Sequence, residues 1–279
     1  MKTLVSLRST ATSLFTAILL IGLLIGCHKD TTTISWRQSN LTNQFVKSLV
    51  VSGSNIFAGT WGGGVYLSTN DGSSWTSVNS GLPAASSVQC IAISGINIFV
   101  GTGGGGSVYL STNNGSSWSS VNLTLPMAFS SVQCLAVSGS NIFAGTNGGV
   151  YLSSNNGSTW ISVNSGFPSG SSVQGLAVSG NSIFAAAGDG VYFSTNNGSS
   201  WTICPGLKSQ SFTSIAVSNS DIFVGTDGGI SDVYRSTNNG SSWSAYASGL
   251  TNQSVQCLAL KDRNIFAGTY RSGVFVSPF

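Results

Sequence analysis

One block of eight residues occurs five times along this chain at almost constant spacing. Ser-Thr-Asn-Asp-Gly-Ser-Ser-Trp ends at Trp75, and near copies end at Trp118, Trp160, Trp201 and Trp243, at intervals of 43, 42, 41 and 42 residues. A second marker, Ile-Phe-x-Gly-Thr, begins at Ile56, Ile98, Ile142, Ile222 and Ile265. A degraded copy, Ile183-Phe184-Ala185-Ala186-Ala187, fills the remaining slot, so the chain holds six units. A period of this length means that each unit is one supersecondary piece, which buries its apolar face only by stacking on its neighbours.

Each unit contains four strand-like runs. In the second they are Val88 to Ser94, Asn97 to Thr102, Ser107 to Ser111 and Trp118 to Asn122, separated by Gly-rich or Asn-Gly turns. No run has a 3.6-residue period, which excludes a helical repeat. Only 6% of residues are charged, against about 25% in an average globular chain, and there is no glutamate. That excludes a coiled coil and a charge-rich disordered tail. The expected fold is all-β: a six-bladed β-propeller of four-stranded antiparallel blades, spanning residues 33–279. Ile34-Ser35-Trp36-Arg37 reads as a fourth strand standing alone, while Ser254 to Pro278 supplies only strands one to three. The N-terminal strand is therefore expected to join the last blade and close the ring, which removes a free edge.

The N-terminus reads as an address. Lys2 and Arg8 precede an apolar stretch from Leu14 to Ile25, shorter than the roughly 20 residues of a membrane-spanning helix. It ends in Leu24-Ile25-Gly26-Cys27, which resembles the lipobox of bacterial lipoproteins. The resemblance implies a signal peptide over 1–26, lipidation of Cys27, a tether over 27–32, and membrane attachment through that lipid alone. His28 rather than Asp follows the cysteine, which by the enterobacterial sorting rule implies the outer membrane, on either face. Without Lys2 and Arg8, eight basic residues face seven aspartates, so there is no basic patch for nucleic acid. Cys27 also accounts for the odd count of five cysteines.

The eight-residue block resembles the Asp-box, or BNR, motif Ser-x-Asp-x-Gly-x-Thr-Trp, found in sialidases, some endoglucanases, sortilin-type receptors and photosystem II stability/assembly factors. The short blades look most like the last group. Here the Asp position is Asn in every copy: Asn70, Asn113, Asn155, Asn196 and Asn238. Its side-chain oxygen can still accept from turn amides. Gly72, Gly115, Gly157, Gly198 and Gly240 can supply a positive φ. Trp75, Trp118, Trp160, Trp201 and Trp243 then bury a large face. By the resemblance these boxes join strands three and four, on the side opposite the substrate sites, so they are expected to be structural.

Function is sought where the units differ. The first strand of a blade begins with a polar residue: Lys47, Gln89, Gln133, Gln174, Thr213 and Gln256. This ring either solvates the mouth of the central channel or binds a ligand. The next position is always small: Ser48, Cys90, Cys134, Gly175, Ser214 and Cys257, a packing constraint. The residue after Gly-Thr opens the loop on the same face: Trp61, Gly103, Asn147, Gly188, Asp227 and Tyr270. Trp61, Tyr270, Arg271 and Lys47 would form an aromatic and cationic platform between the first and last blades. Asp189 and Asp227 lie in equivalent loops of adjacent blades. They suit either turn chemistry before glycine or a glycosidase carboxylate pair.

Sialidase chemistry is poorly supported, because Glu is absent and Arg37, Arg235, Arg263 and Arg271 do not converge. His28, the sole histidine, lies in the tether, so neither a catalytic triad nor a His-based zinc site is expected. The expected role is a monomeric, non-catalytic, envelope-anchored module that binds protein or glycan on its loop face, with no cofactor or metal. The alternative is a glycoside hydrolase using Asp189 and Asp227.

Overall fold

The computed structural model describes Leu41 and residues 44–70, 72–103, 107–121, 131–208, 210–228, 232–246, 250, 254–261, 263–269 and 273–279. They form a six-bladed β-propeller. The first strands are β1 (Val46–Ser52), β5 (Val88–Ser94), β9 (Val132–Ser138), β13 (Val173–Ser179), β17 (Phe212–Ser218) and β21 (Val255–Lys261). The second are β2 (Asn55–Thr60), β6 (Asn97–Thr102), β10 (Asn141–Thr146), β14 (Ser182–Ala187), β18 (Asp221–Thr226) and β22 (Asn264–Thr269). The third are β3 (Gly64–Ser68), β7 (Val108–Ser111), β11 (Gly149–Ser153), β15 (Gly190–Ser194), β19 (Val233–Ser236) and β23 (Gly273–Pro278). The fourth are β4 (Thr76–Ser77), β8 (Ser119–Val121), β12 (Ile161–Ser162), β16 (Thr202–Lys208) and β20 (Ser244–Ala245). Each blade is an antiparallel meander in chain order, and the sixth shows three strands among the described residues. The expected closing strand, Ile34 to Arg37, lies outside them.

Hairpin chemistry explains the short connections. The turn from first to second strand opens on a left-handed residue, Gly53, Gly95, Gly139 or Gly180, with Asn219 in the fifth blade. The second strand is covered on both faces, so β6, β10, β14 and β18 are buried from their second residue onward. That burial is why Ile-Phe-x-Gly-Thr is apolar without alternation.

Each of five apolar clusters bridges two consecutive blades. Phe57 and Val65 pack with Val88 and Ile98. Phe99 packs with Leu135 and Tyr151. Phe143 packs with Leu176 and Trp201, Phe184 with Phe212 and Ile222, and Phe223 with Val255 and Ile265. No blade has a private core, as the repeat logic demands.

The eight-residue turns occupy the link from third to fourth strand, as expected. In the third blade Asn155 Oδ1 accepts from Thr159 N at 2.9 Å and from Ser153 Oγ at 3.0 Å. Ser153 Oγ in turn accepts from Gly157 N at 2.9 Å. The same bonds recur around Asn70, Asn113, Asn196 and Asn238. Trp118, Trp160 and Trp201 are buried, and Trp75 and Trp243 are half-buried. Two indoles also stitch blades together. Trp118 Nε1 donates to Val78 O at 2.7 Å, and Trp201 Nε1 donates to Val163 O at 2.8 Å. Cys204, which has no cysteine counterpart in the other blades, is a packing residue: it faces Gly240 as Val163 faces Gly198.

Candidate ligand-binding site

The polar ring arises from a register fault repeated six times. In every blade the pairing of first and second strands skips one residue of the first: Lys47, Gln89, Gln133, Gln174, Thr213 and Gln256. Each is therefore a β-bulge residue, left out of the ladder and re-aimed. In β5 the neighbours Val88, Cys90, Ile91 and Ala92 are all buried, while Gln89 is half-buried. The bulge lets one polar side chain leave an otherwise apolar strand at the channel face.

The loop after the second strand folds back onto the same place. Trp61 N donates to Phe45 O at 2.9 Å, Gly103 N to Ser87 O at 2.9 Å, Gly188 N to Ser172 O at 3.1 Å, and Asp227 N to Ser211 O at 3.0 Å. The acceptor stands two residues before the bulge in each case. Reading the sequence missed this serine rim, although Ser-Ser-Val-Gln at residues 86–89, 130–133 and 171–174 carries its signal.

The serines hold most of the ring's amides. Gln89 Nε2 donates to Ser87 Oγ at 3.1 Å, Gln174 Nε2 to Ser172 Oγ at 3.0 Å, and Gln256 Nε2 to Ser254 Oγ at 2.6 Å. Two of the expected binding residues act as stitches between blades. Asn147 Oδ1 accepts from Gln133 Nε2 at 3.1 Å within its own blade and from Ser172 Oγ of the next at 3.4 Å. The Asp227 carboxylate accepts from Ser254 Oγ of the sixth blade.

The first three blades line an open pocket of about 420 Å³, formed by Lys47, Trp61, Ser87, Gln89, Gly103, Ser131 and Gln133. This volume falls in the range of small-ligand sites. Trp61 is 59% exposed, and Lys47 Nζ lies 5.6 Å from its ring centroid, within cation–π reach. So Lys47, Trp61, Gln89 and Gln133 come together with Asn147 bonded behind Gln133, whereas Gln174, Gln256 and Asp227 are not in the lining. Tyr270, Arg271 and Cys27 lie outside the described residues.

Neither aspartate of the proposed pair lines this pocket. Asp189 accepts from Tyr192 OH at 2.6 Å and from Ser171 Oγ at 3.4 Å. Burial, helped by that carboxylate, pushes the Tyr192 phenol well above its usual range. The four cysteines among the described residues are held as thiols. Burial pushes Cys90 and Cys204 up to about 12 and raises Cys134 and Cys257 as well. For Cys257 the charge of Lys47 works the other way. No group of carboxylates, thiols and imidazoles suited to a metal occurs among the described residues. Arg235 is paired to Asp221 at 3.0 Å and stacked among Phe223, Tyr246 and Phe279, while Arg37 lies outside the described residues with Arg271.

Comparison with known proteins bears on the fold. The DUF6242 beta propeller domain family matches residues 82–209. No curated protein matches the chain. Among solved structures, the extracellular domain of a putative one-component system from B. thetaiotaomicron is 16% identical, with a TM-score of 0.69, over 88% of this chain and 34% of that one. YCF48 bound to D1 peptide is 14% identical, with a TM-score of 0.61, over 84% of this chain and 77% of that one. The GH74 xyloglucanase from Xanthomonas campestris is 15% identical, with a TM-score of 0.65, over 84% of this chain and 45% of that one.

The chain shares the propeller of these proteins. At such identities the likeness is one of architecture, and the same architecture occurs in the extracellular domain of a putative one-component system, in YCF48 with its bound D1 peptide and in a xyloglucanase. This chain spans less than half the length of that extracellular domain and of the xyloglucanase.

Proposed function

We propose that the protein is a non-catalytic binding module whose ligand seats at the channel mouth of blades one to three. The observation that carries this reading is the pocket itself. An exposed Trp61, the Lys47 ammonium, two bulge glutamines and two serines converge there without a carboxylate in the lining. A large aromatic face beside a few placed polar groups is the usual make-up of a recognition site. YCF48 with its bound D1 peptide is one propeller of this architecture that recognises a partner.

The test is binding by the full chain across a panel of neutral and acidic polysaccharides, combined with cross-linking in intact cells. Trp61→Ala should weaken the captured interaction at least tenfold without lowering the melting temperature. Unchanged capture would place the binding surface elsewhere. The second reading, a glycoside hydrolase, draws on the GH74 neighbours and on Asp189 and Asp227 sharing one face. It predicts sugar release that Asp189→Asn and Asp227→Asn abolish; release unaffected by both changes would end it.

The same proposal includes the address. Cys27 is the acceptor of an N-terminal lipid that holds the propeller at the cell envelope, on the outer membrane, and the block around Asn70 to Trp75 is an Asp-box in which Asn replaces Asp. Radiolabelled palmitate should enter the wild-type protein and not Cys27→Ala. Equal labelling of both would remove the anchor.

A further inference from the structure

The pocket described above pairs one cation with uncharged donors and acceptors, and that imbalance points to the chemistry of its ligand. Lys47 is half-buried, its ammonium rests against Trp61, and no carboxylate pairs with it among the described residues. The lining contains no acid among the described residues. A cation held at a pocket wall without a counter-charge favours an anionic group there, with the attraction strengthened by partial removal from water.

The remaining groups say what carries the anion. Gln89 and Gln133 each use Nε2 in a protein hydrogen bond, which leaves their carboxamide oxygens as acceptors. Acceptors fixed in place match a ligand rich in hydroxyl donors. Trp61, 59% exposed, offers an aromatic face to the apolar C–H side of a flat ring. Ser87 and Ser131 add hydroxyls that can donate or accept. Hydroxyl donors, a ring with an apolar face and one negative charge together describe an acidic sugar.

We infer that the pocket at blades one to three binds an acidic sugar unit of a polysaccharide. Lys47 would take its carboxylate, Gln89 and Gln133 its hydroxyls, and Trp61 its ring face. The inference rests on the reading of this pocket as the binding site and adds the class of ligand.

The experiment compares the affinity of the full chain for polygalacturonate and for the same polymer fully methyl-esterified, which keeps every hydroxyl and removes every charge. Alginate serves as a second acidic probe. At least one acidic polymer should bind ten times or more tighter than the esterified one, and the preference should shrink as salt rises. Lys47→Gln should remove the preference, Lys47→Arg should keep it, and Trp61→Ala should weaken both forms. Equal binding of charged and esterified chains, or a preference that survives Lys47→Gln, would overturn the acidic class while the pocket stands as a binding site. Binding of neither acidic polymer would also overturn it, and the wider panel with cross-linking then decides separately whether the pocket binds at all.

Discussion

Cross-strand pairs of small residues set how closely neighbouring blades approach. Across the first two strands of each blade these pairs are Ser48 with Gly59, Cys90 with Gly101, Cys134 with Gly145, Gly175 with Ala186, Ser214 with Gly225 and Cys257 with Gly268. Five pairs place the side chain on the first strand and glycine on the second; the fourth blade inverts the order. A Cβ on Gly101 would lie 2.5 Å from Cys90 Sγ and 2.7 Å from Val132 Cγ1, and one on Gly145 would meet Cys134 Sγ at 2.4 Å. One side chain fits at each pair, and the strand that carries it is exchangeable. Gly101→Ala should therefore cost about 1–3 kcal/mol by overpacking. Placed on Cys90→Gly, which recreates the fourth blade's arrangement, it should cost at least about 1 kcal/mol less, the contact with Val132 accounting for the remainder. Urea melts of the four proteins measure this, and equal penalties in both backgrounds would disprove the exchange. In the sequence, Ala186 reads only as decay of a marker. Its partner Gly175 stands eleven positions earlier and becomes visible once the register is known.

The recurrent turn between third and fourth strands was legible as an element, and so was the acceptor role of its first Asn. Two details were not. The second Asn of the block also sits left-handed, with φ of 54° at Asn114 and Asn156, so two successive residues reverse the chain. The first Asn also donates: Asn155 Nδ2 reaches Thr159 Oγ1 at 2.8 Å, and Asn70, Asn113, Asn196 and Asn238 reach the equivalent serine. That hydroxyl can instead donate to a carboxylate, which makes Asn and Asp interchangeable here. Asn155→Ala should cost about 1–2 kcal/mol by leaving the Thr159 amide and the Ser153 hydroxyl without their shared acceptor. Asn155→Asp should stay within about 0.5 kcal/mol of the parent. Thermal melts at neutral pH separate the two, and a loss for Asp as large as for Ala would show that the amide donor carries the turn. The strands were nearly as readable, since β5 and β6 begin and end where the pattern of the second unit places them. The bulge was hidden, because a run such as Val-Gln-Cys-Ile-Ala-Ile-Ser reads as imperfect alternation until its seven residues are set against the six of its partner.

At the scale of the whole molecule the blades are not equivalent, and this inequality predicts where the structure opens first. The pocket, too, needed this scale to be seen: Lys47 and Gln133 stand 86 positions apart, and the ring geometry makes them co-line one cavity. Each of blades two to five packs against both neighbours. The first and last approach each other at β1 and β21, but no apolar cluster joins them among the described residues. Leu49 and Val51 on β1 are 49% and 64% exposed, whereas Ile91, Leu135, Leu176 and Ile215, which stand where Leu49 does in later blades, are all buried. Burying such a side chain fully contributes about 1.5–3 kcal/mol, so leaving two of them half covered forgoes roughly that amount. Since about 1.4 kcal/mol corresponds to a factor of ten, backbone amides of β1 should exchange with deuterium at least ten times faster than those of β9 and β13 in the native full chain. Leu49→Ser should then cost little, within about 1 kcal/mol, while Leu135→Ser in the third blade should cost several. Uniform protection around the ring, with Leu49→Ser as damaging as Leu135→Ser, would show that β1 is held as firmly as the strands of the later blades.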